Sequence, residues 1–366
     1  MVDTLASLLT ESVGESAGDW DIAGEIPRDL LRALGAKGVL CAEVAAEFGG
    51  AGLSGRVNGE LTAHAGALCS SLRSVMTSQG MAAWTIQRFG SPDQRAAYLP
   101  RLTGGELAAV CFSETEAGSD LSAIGTRITD EGDEIVVTGH KVWATAAAYA
   151  DLLVVIGTYG AGAAVAVIPA SAPGVTVKKI PDTLGCRAAG HSDITFEAVR
   201  LPREALLVGS RLPMTMLVTI ALTYGRLSVA WGSVGMLRGC LRATTEHVAG
   251  RRQFGKPLAE HQLVARHIAD LHVAERTATF ACERASTSWD AQSPDMVSDA
   301  VLAKYVASGN AAQGAARAVQ VMASAAAQDG HVVARAYRDA KLMELIEGTS
   351  EICQLILARQ ALEGNA

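Results

Sequence analysis

The sequence has no excess of basic residues: 31 Lys and Arg stand against 38 Asp and Glu, a formal net charge of -7. It therefore lacks the cationic footprint by which nucleic-acid binders neutralise phosphates, and no nucleic-acid partner is expected. Any phosphate-bearing ligand must be held by a local cluster. The seven cysteines (Cys41, Cys69, Cys111, Cys186, Cys240, Cys282, Cys353) are scattered, and none forms a C-x-x-C pair or a zinc spacing. That argues against a disulfide framework and a structural metal; no metal site is expected, and a reducing, cytoplasmic setting is. The first residues, MVDTLASLLTESVGESAGDW, are acidic and lack the charged start and long apolar stretch of a secretion signal. The longest apolar stretch, Met214 to Leu237, is interrupted by Arg226 and reads as a buried helix rather than a membrane span. His267 and His272 are five apart, on different faces of a helix, and no H-E-x-x-H occurs. Ser113 and Ser119 have no G-x-S-x-G context, which leaves a hydrolase triad unsupported.

What is present is apolar and regionally organised. Hydrophobic residues make up 49% of the 366, enough for one large core or for small domains around a shared one. From Leu30 to about Ala109 apolar residues recur at helical spacing, as in Leu30-Leu31-Leu34 and Trp84-Ile86-Phe89, with Gly90-Ser91-Pro92 and Gly104-Gly105 as breakers. Between Val110 and Val208 short β-prone runs take over: Ile135 to Thr138, Leu152 to Ile156, Val165 to Ile168 and Ile194 to Phe196. Gly160-Ala-Gly162 lacks the third glycine and following helix of a dinucleotide loop and reads as a hairpin turn. After Pro213 the chain is rich in Ala, Leu and Arg, and long helices broken near Gly250, Pro257 and Ser293-Pro294 are expected to pack as a bundle. The Ala-rich patch Ala323 to Ala327 is good helix former. The expected architecture is mainly α with a central β-domain: helical over 1–109, β over 110–208, helical over 209–366.

Four segments carry candidate chemistry. Cys111-Phe-Ser-Glu-Thr-Glu-Ala-Gly-Ser-Asp120 leaves a strand and turns through small hydroxyl and glycine residues, offering N–H and O–H donors to a carbonyl-rich ring. Trp143-Ala-Thr145 pairs a flat aromatic face with a hydroxyl, although a core tryptophan is the commoner reason for such a residue. Arg251-Arg-Gln-Phe-Gly-Lys256 gathers three cations after a helix, suited to a pyrophosphate or simply to a helix C-terminus. Glu347 lies in a turn between a helix ending near Leu345 and an amphipathic one carrying Ile352, Leu355, Ile356 and Leu362, with Thr349 or Ser350 as its cap. A glutamate in such a turn is usually solvated, and the helix N-terminus favours its ionised form. Burial against residues such as Ile346 would instead raise its pKa.

In this order and spacing the motifs resemble the acyl-CoA dehydrogenase flavoprotein family over essentially the whole chain. The resemblance implies an N-terminal helical domain, a middle β-barrel, a C-terminal four-helix bundle, FAD as cofactor and a homodimer or homotetramer. It implies that Cys111, Phe112, Ser113, Gly118 and Ser119 line the flavin and that Trp143 and Thr145 flank its ring. Arg251, Phe254, His261, Gln262 and Gln320 match cofactor-binding positions served partly from a neighbouring subunit. In Ile346-Glu-Gly-Thr-Ser-Glu-Ile352 the resemblance makes Glu347 the catalytic base, puts Thr349 and Glu351 at the cofactor, and puts Gly348 at the substrate. Ser119 also matches a substrate contact, and Arg226, read as opening the helix that leads to Trp231 and Gly232, matches an arginine at the substrate entrance. The implied reaction is removal of a proton beside a thioester carbonyl by Glu347, with the flavin accepting a hydride from the next carbon.

Departures from the family pattern shape the expected substrate. Gln320-Val-Met-Ala-Ser-Ala-Ala326 replaces a Gly-Gly-x-Gly stretch, Thr223 stands where some members have an acid, Ile346 replaces an aromatic, and Gln354 an arginine. With Trp231 adding bulk near the entrance, a small acyl pocket is expected. Such a chain resembles the branch that works on acyl carrier protein thioesters in making hydroxymalonyl or methoxymalonyl polyketide extender units. That implies a three-carbon 2-hydroxyacyl group on phosphopantetheine, oxidised at C3, and a separate electron acceptor. A short-chain acyl-CoA dehydrogenase, a flavin monooxygenase of the same fold and a flavin-free carrier-binding scaffold are the competing readings.

Overall fold

The computed structural model describes residues 2–363; the outer ends of the first and last expected domains, Met1 and 364–366, lie outside the described residues. Helices α1 (Val2–Val13), α2 (Ala17–Ala23), α3 (Arg28–Ala36), α4 (Gly55–Leu68), α5 (Ser70–Phe89) and α6 (Pro92–Thr103) come first. Helix thus begins well before Leu30: Leu5, Leu9 and Val13 form one buried stripe on α1. The Gly90-Ser91-Pro92 break is a capping box. Ser91 Oγ accepts from Gln94 N (3.2 Å) and Gln94 Oε1 accepts from Ser91 N (3.0 Å), satisfying two donors that a helix start leaves unpaired.

Strands β1 (Ala108–Cys111), β2 (Arg127–Asp130), β3 (Glu134–Ala144), β4 (Leu152–Tyr159), β5 (Gly162–Pro169), β6 (Val175–Lys179) and β7 (Ser192–Pro202) form one curled sheet in the order β1-β4-β2-β3-β7-β6, with β5 pairing β4. Gly160 and Ala161 form the β4–β5 hairpin turn, Gly160 at φ 56°. Because side chains alternate along a strand, Leu152, Val154 and Ile156 of β4 face the helical core while Leu153 and Val155 fill the inside of the sheet. The unbroken apolar run of β4 follows from that two-sided burial. β3 loses register with β7 between Lys141 and Ala144, and there Trp143 takes φ 56°. Such a bulge re-aims a side chain out of the sheet, and Trp143 is 53% exposed rather than a core residue.

Helix α7 (Met214–Gly250) leads through the short hairpin β8 (Arg252–Gln253) and β9 (Lys256–Pro257) to α8 (Gln262–Asp290), α9 (Met296–Met322), α10 (Val332–Leu345) and α11 (Ser350–Glu363). α7 is buried on nearly every side from Leu217 to Cys240, since α4, α5, α8, α9 and α10 all pack on it. Among the described residues it is the one helix long and apolar enough to cross a membrane, and 67% of that stretch is buried inside the fold. Gly235 lets α4 approach so closely that a Cβ there would strike the Ala63 carbonyl. Two expectations change here. Arg226 does not open a helix but sits about three turns into α7. Trp231, about 140° further round that helix, points away from Arg226. It is fully buried, donates Nε1 to Ser286 Oγ of α8 (2.9 Å) and lies against Gly59, so it belongs to the core and does not narrow an entrance.

The Ala-rich patch also departs from expectation. α9 ends at Met322 because Ala323 turns to φ 52°, ψ -130°, and Ala323–Ala326 form a short 3-10 turn. Glycine adopts that backbone freely, whereas alanine carries strain of about 1 kcal/mol or more. Ala323→Gly is therefore expected to raise stability by up to about 1 kcal/mol, read as an upward shift of the urea midpoint. A downward shift would mean that the turn relaxes without cost.

Candidate active site

Glu347 occupies the Ile346–Thr349 turn between α10 and α11, where it takes φ 56° and Gly348 φ 92°. A left-handed glutamate is strained and persists only where its surroundings hold it. Two buried cations do so. Arg226 donates Nε to the Glu347 carbonyl (3.1 Å), and Lys304 of α9 donates Nζ to the Gly348 carbonyl (2.6 Å) and the Glu344 carbonyl (3.2 Å). Thr349 supplies the helix cap, accepting from Ile352 N at 3.4 Å. Glu351 is exposed beside it.

The carboxylate points inward rather than into solvent. Glu347 as a residue is half-buried, but Oε2 is sealed and has no hydrogen-bond partner. It lies over Gly225 of α7: a Cβ on Gly225 would come within 2.6 Å of Glu347 Cδ. Desolvation raises the Glu347 pKa to about 7, and the charges of Arg226, Lys304 and Arg73 only partly offset it. Burial thus outweighs the helix N-terminus, and near neutral pH the group both takes and gives up a proton readily.

Helix α5 joins this turn to the β-domain. Ser78 donates Oγ to the Thr145 carbonyl (2.9 Å), Thr77 shares a hydrogen bond with Ser228 of α7 (2.7 Å), and Met81 packs against Gly225. Arg73, fully buried, donates to Thr77 Oγ1 (3.1 Å), Ser74 Oγ (2.9 Å) and the Met343 thioether of α10 (2.9 Å). On the β side Thr145 Oγ1 bonds His191 Nδ1 (3.2 Å), and the Trp143 ring is 5.9 Å from the His191 ring. Burial and the Arg73 charge lower the His191 pKa to about 4, so its imidazole is neutral at pH 7. His191 Nε2 is sealed without a partner.

The Cys111–Asp120 segment runs beside these residues. Cys111 is buried in β1, Phe112 and Ser113 are half-buried, and the Ser113 carbonyl accepts from Val142 N (2.9 Å). Glu114 is pinned by the buried Lys141 (2.8 Å) and by the Gly125 and Thr126 amides, which sets the loop's path. Gly118 and Ser119 are exposed, and a side chain at Gly118 would meet nothing within 4 Å. A half-exposed indole, unpaired polar atoms at His191 and Glu347, and open space over Gly118 fit a flat heterocycle with a polar edge, as in a flavin ring.

The second group of expected cofactor residues is elsewhere. Arg251 follows Arg226 by 25 residues, about 37 Å along α7. Phe254 is 96% exposed at the β8–β9 turn, with His261 6.1 Å from its ring and Gln262 starting α8. Gln320 is exposed at the far end of α9, 16 residues or about 24 Å beyond Lys304. Within one chain these five are not brought to Glu347. A cleft of about 900 Å³ between Arg28, Arg32, Tyr149, Asp151 and Lys179 contains none of the expected site residues. Arg73, His191, Lys304 and Gly225 were not legible as site residues. For Arg73 a signal existed, since it is the one charge in α5 before Arg88.

The α-β-α fold, a glutamate with a sealed, unpartnered carboxylate oxygen and an exposed indole on the β-domain define a flavin-dependent acyl-thioester dehydrogenase. Models of the N-terminal, middle and C-terminal domains of acyl-CoA dehydrogenase match residues 1–106, 109–199 and 215–362, and the chain belongs to that family. It is an FAD-dependent oxidoreductase. The probable acyl-CoA dehydrogenase YngJ of Bacillus subtilis (strain 168) is 30% identical over 94% of this chain and 92% of its own. A glutaryl-CoA dehydrogenase from Mycobacterium smegmatis, solved in complex with FADH2, is 25% identical with a TM-score of 0.92, covering 99% of this chain and 94% of that one. More similar is the structure of FkbI, for biosynthesis of the methoxymalonyl extender unit of the FK520 polyketide immunosuppressant: 60% identity and a TM-score of 0.94 over 98% of this chain and 99% of that one.

Proposed function

We propose that the enzyme oxidises a three-carbon 2-hydroxyacyl group, carried as a phosphopantetheine thioester on an acyl carrier protein, toward the hydroxymalonyl level for a methoxymalonyl-type polyketide extender unit. The observation that carries the chemistry is the sealed, unpartnered Oε2 of Glu347 with its pKa near 7. The 60% identity to FkbI supports the substrate class. When bound, FAD supplies the two-electron acceptor. Glu347 is the base, Arg226 and Lys304 hold its turn, and the N–H groups of that turn are donors for the thioester carbonyl. Gly348 leaves room beside the base for the acyl arm, and Ser119 bonds it on the β-domain side. Phe112, Ser113, Gly118, Trp143, Thr145 and Thr349 face the ring of the cofactor. Neutral His191 offers its free nitrogen to the ring edge without adding charge.

Arg251, Phe254, His261, Gln262 and Gln320 serve the cofactor of a second copy in a homodimer or homotetramer, which accounts for their distance from Glu347. The exposed Phe254, Leu263, Leu355 and Leu362 are the kind of surface such an assembly covers. A separate electron-accepting partner completes turnover.

The test is anaerobic bleaching of the flavin by a panel of thioesters. Carrier-bound glyceryl or three-carbon semialdehyde groups are expected to bleach it, and butyryl-CoA is not. Bleaching by butyryl-CoA alone would overturn the substrate assignment in favour of a short-chain acyl-CoA dehydrogenase.

A further inference from the structure

Two consecutive residues of β3 hold the step by which the chain leaves β1. Lys141, fully buried, donates Nζ to the Phe112 carbonyl (2.8 Å) and to Glu114 Oε1 (2.8 Å), and Val142 donates N to the Ser113 carbonyl (2.9 Å). Glu114 also accepts from Gly125 N (2.6 Å) and Thr126 N (3.0 Å). An ammonium withdrawn from water is tolerated when it is paired and hydrogen-bonded, and Lys141 meets both conditions through this one segment. An apolar residue would fill the inside of the sheet without the cost of desolvating two charges. What the lysine adds is its hold on Phe112 and Glu114.

That hold has a direction. A peptide unit is planar and trans, so its C=O and N–H point opposite ways. With the Phe112 carbonyl turned onto the buried Lys141, the Ser113 N–H of the same unit is turned away from it. Phe112 and Ser113 are themselves only half-buried, and the next amide, Glu114 N, is spent on the Ala117 carbonyl (3.0 Å). Two residues beyond Lys141 the bulge of β3 brings out Trp143, and Thr145 follows. Lys141 thus ties the Phe112–Ser113 wall of the cofactor site to the Trp143–Thr145 wall.

We propose that Lys141 is a positioning residue for the flavin: by holding the Phe112 carbonyl it aims the Ser113 N–H at a ring carbonyl and so raises the electron affinity of the bound cofactor. The inference rests on the reading above that Phe112 and Ser113 face the ring. Reduction adds electron density to the carbonyl edge of a flavin, and a donor already aimed there stabilises it without having to reorganise. Glu114 balances the ammonium, so Lys141 acts through the peptide rather than by adding net charge to the site. Without it the Phe112 carbonyl loses its charged donor, and the orientation of the whole peptide unit, Ser113 N–H included, is no longer fixed from the buried side.

The test uses the FAD-loaded enzyme without any thioester, so it does not depend on the substrate assignment. It reads the C=O stretches of the bound flavin by Raman spectroscopy and its reduction potential by equilibration with a redox dye. In wild type a carbonyl stretch is expected below its position for a flavin in an aprotic solvent. Lys141→Met is expected to raise that stretch, lower the potential and weaken FAD binding about tenfold, the scale of one lost hydrogen bond. The double variant Lys141→Met, Glu114→Gln, which leaves no carboxylate without its cation, should show the same shifts, and Lys141→Arg should recover part of them. A wild-type stretch no lower than in the aprotic solvent overturns the reading that this segment faces a ring carbonyl, and the role of Lys141 with it. A lowered wild-type stretch that stays unchanged in both Met-bearing variants at saturating FAD overturns the role of Lys141 alone, whatever those variants lose in stability.

Discussion

Glu347→Gln is expected to lower the rate of flavin bleaching by about a thousandfold, the scale of a lost general base, with FAD content and thermal stability close to wild type. Gln keeps the shape of the side chain and its place over Gly225, so the Arg226 and Lys304 bonds, which go to backbone carbonyls, are retained. The pH dependence has a definite sign. The folded Glu347 titrates at about 7, and only its ionised form accepts a proton. The bleaching rate should therefore rise with pH through about 7 and level off above it, and the residual rate of Glu347→Gln should be flat there. Stability runs the other way. With a folded pKa raised from 4.5 to about 7, Glu347 contributes stability that is fully present below pH 4.5 and lost as pH rises through 7. Stopped-flow bleaching across pH 6 to 8.5 checks the first statement. An unchanged pH profile in the variant would sink the assignment of Glu347 as base.

Gly225→Ala is expected to separate activity from stability. Within a helix, alanine is favoured over glycine by about 1 kcal/mol, so substitution in the middle of α7 would ordinarily be harmless or stabilising. Here the new methyl group meets Glu347 Oε2 and Met81 Cε at less than contact distance and must push one of them aside. Displacing a catalytic group by about 1 Å costs on the order of a hundredfold in rate. The expected result is a drop of that size in bleaching with a melting temperature near wild type. A drop in both together would mean that α7 itself had moved.

Much of the fold was legible because it follows from local periodicity. The helical stripe of Leu30, Leu31 and Leu34, the β-prone run Leu152 to Ile156 and the Gly90-Ser91-Pro92 break each declare themselves within a few residues. β2 and β6 did not, since Arg127–Asp130 and Val175–Lys179 are largely exposed and owe their strand form to their partners. Ala323 misled for a related reason: its helix propensity is overruled by the turn that carries the chain to α10.

The site divides in the same way. By itself the sequence determined the α-β-α order, the turn that holds Glu347, and the Cys111–Asp120 and Trp143–Thr145 segments, because each is a contiguous motif. Only the tertiary structure decided that Glu347 is buried rather than solvated, that burial outweighs the helix N-terminus in setting its pKa, and that Arg73 and His191 stand nearby. Electrostatics depends on what surrounds a charge in space, and the surroundings of Glu347 come from α5, α7, α9 and α10, up to 274 positions away in the chain.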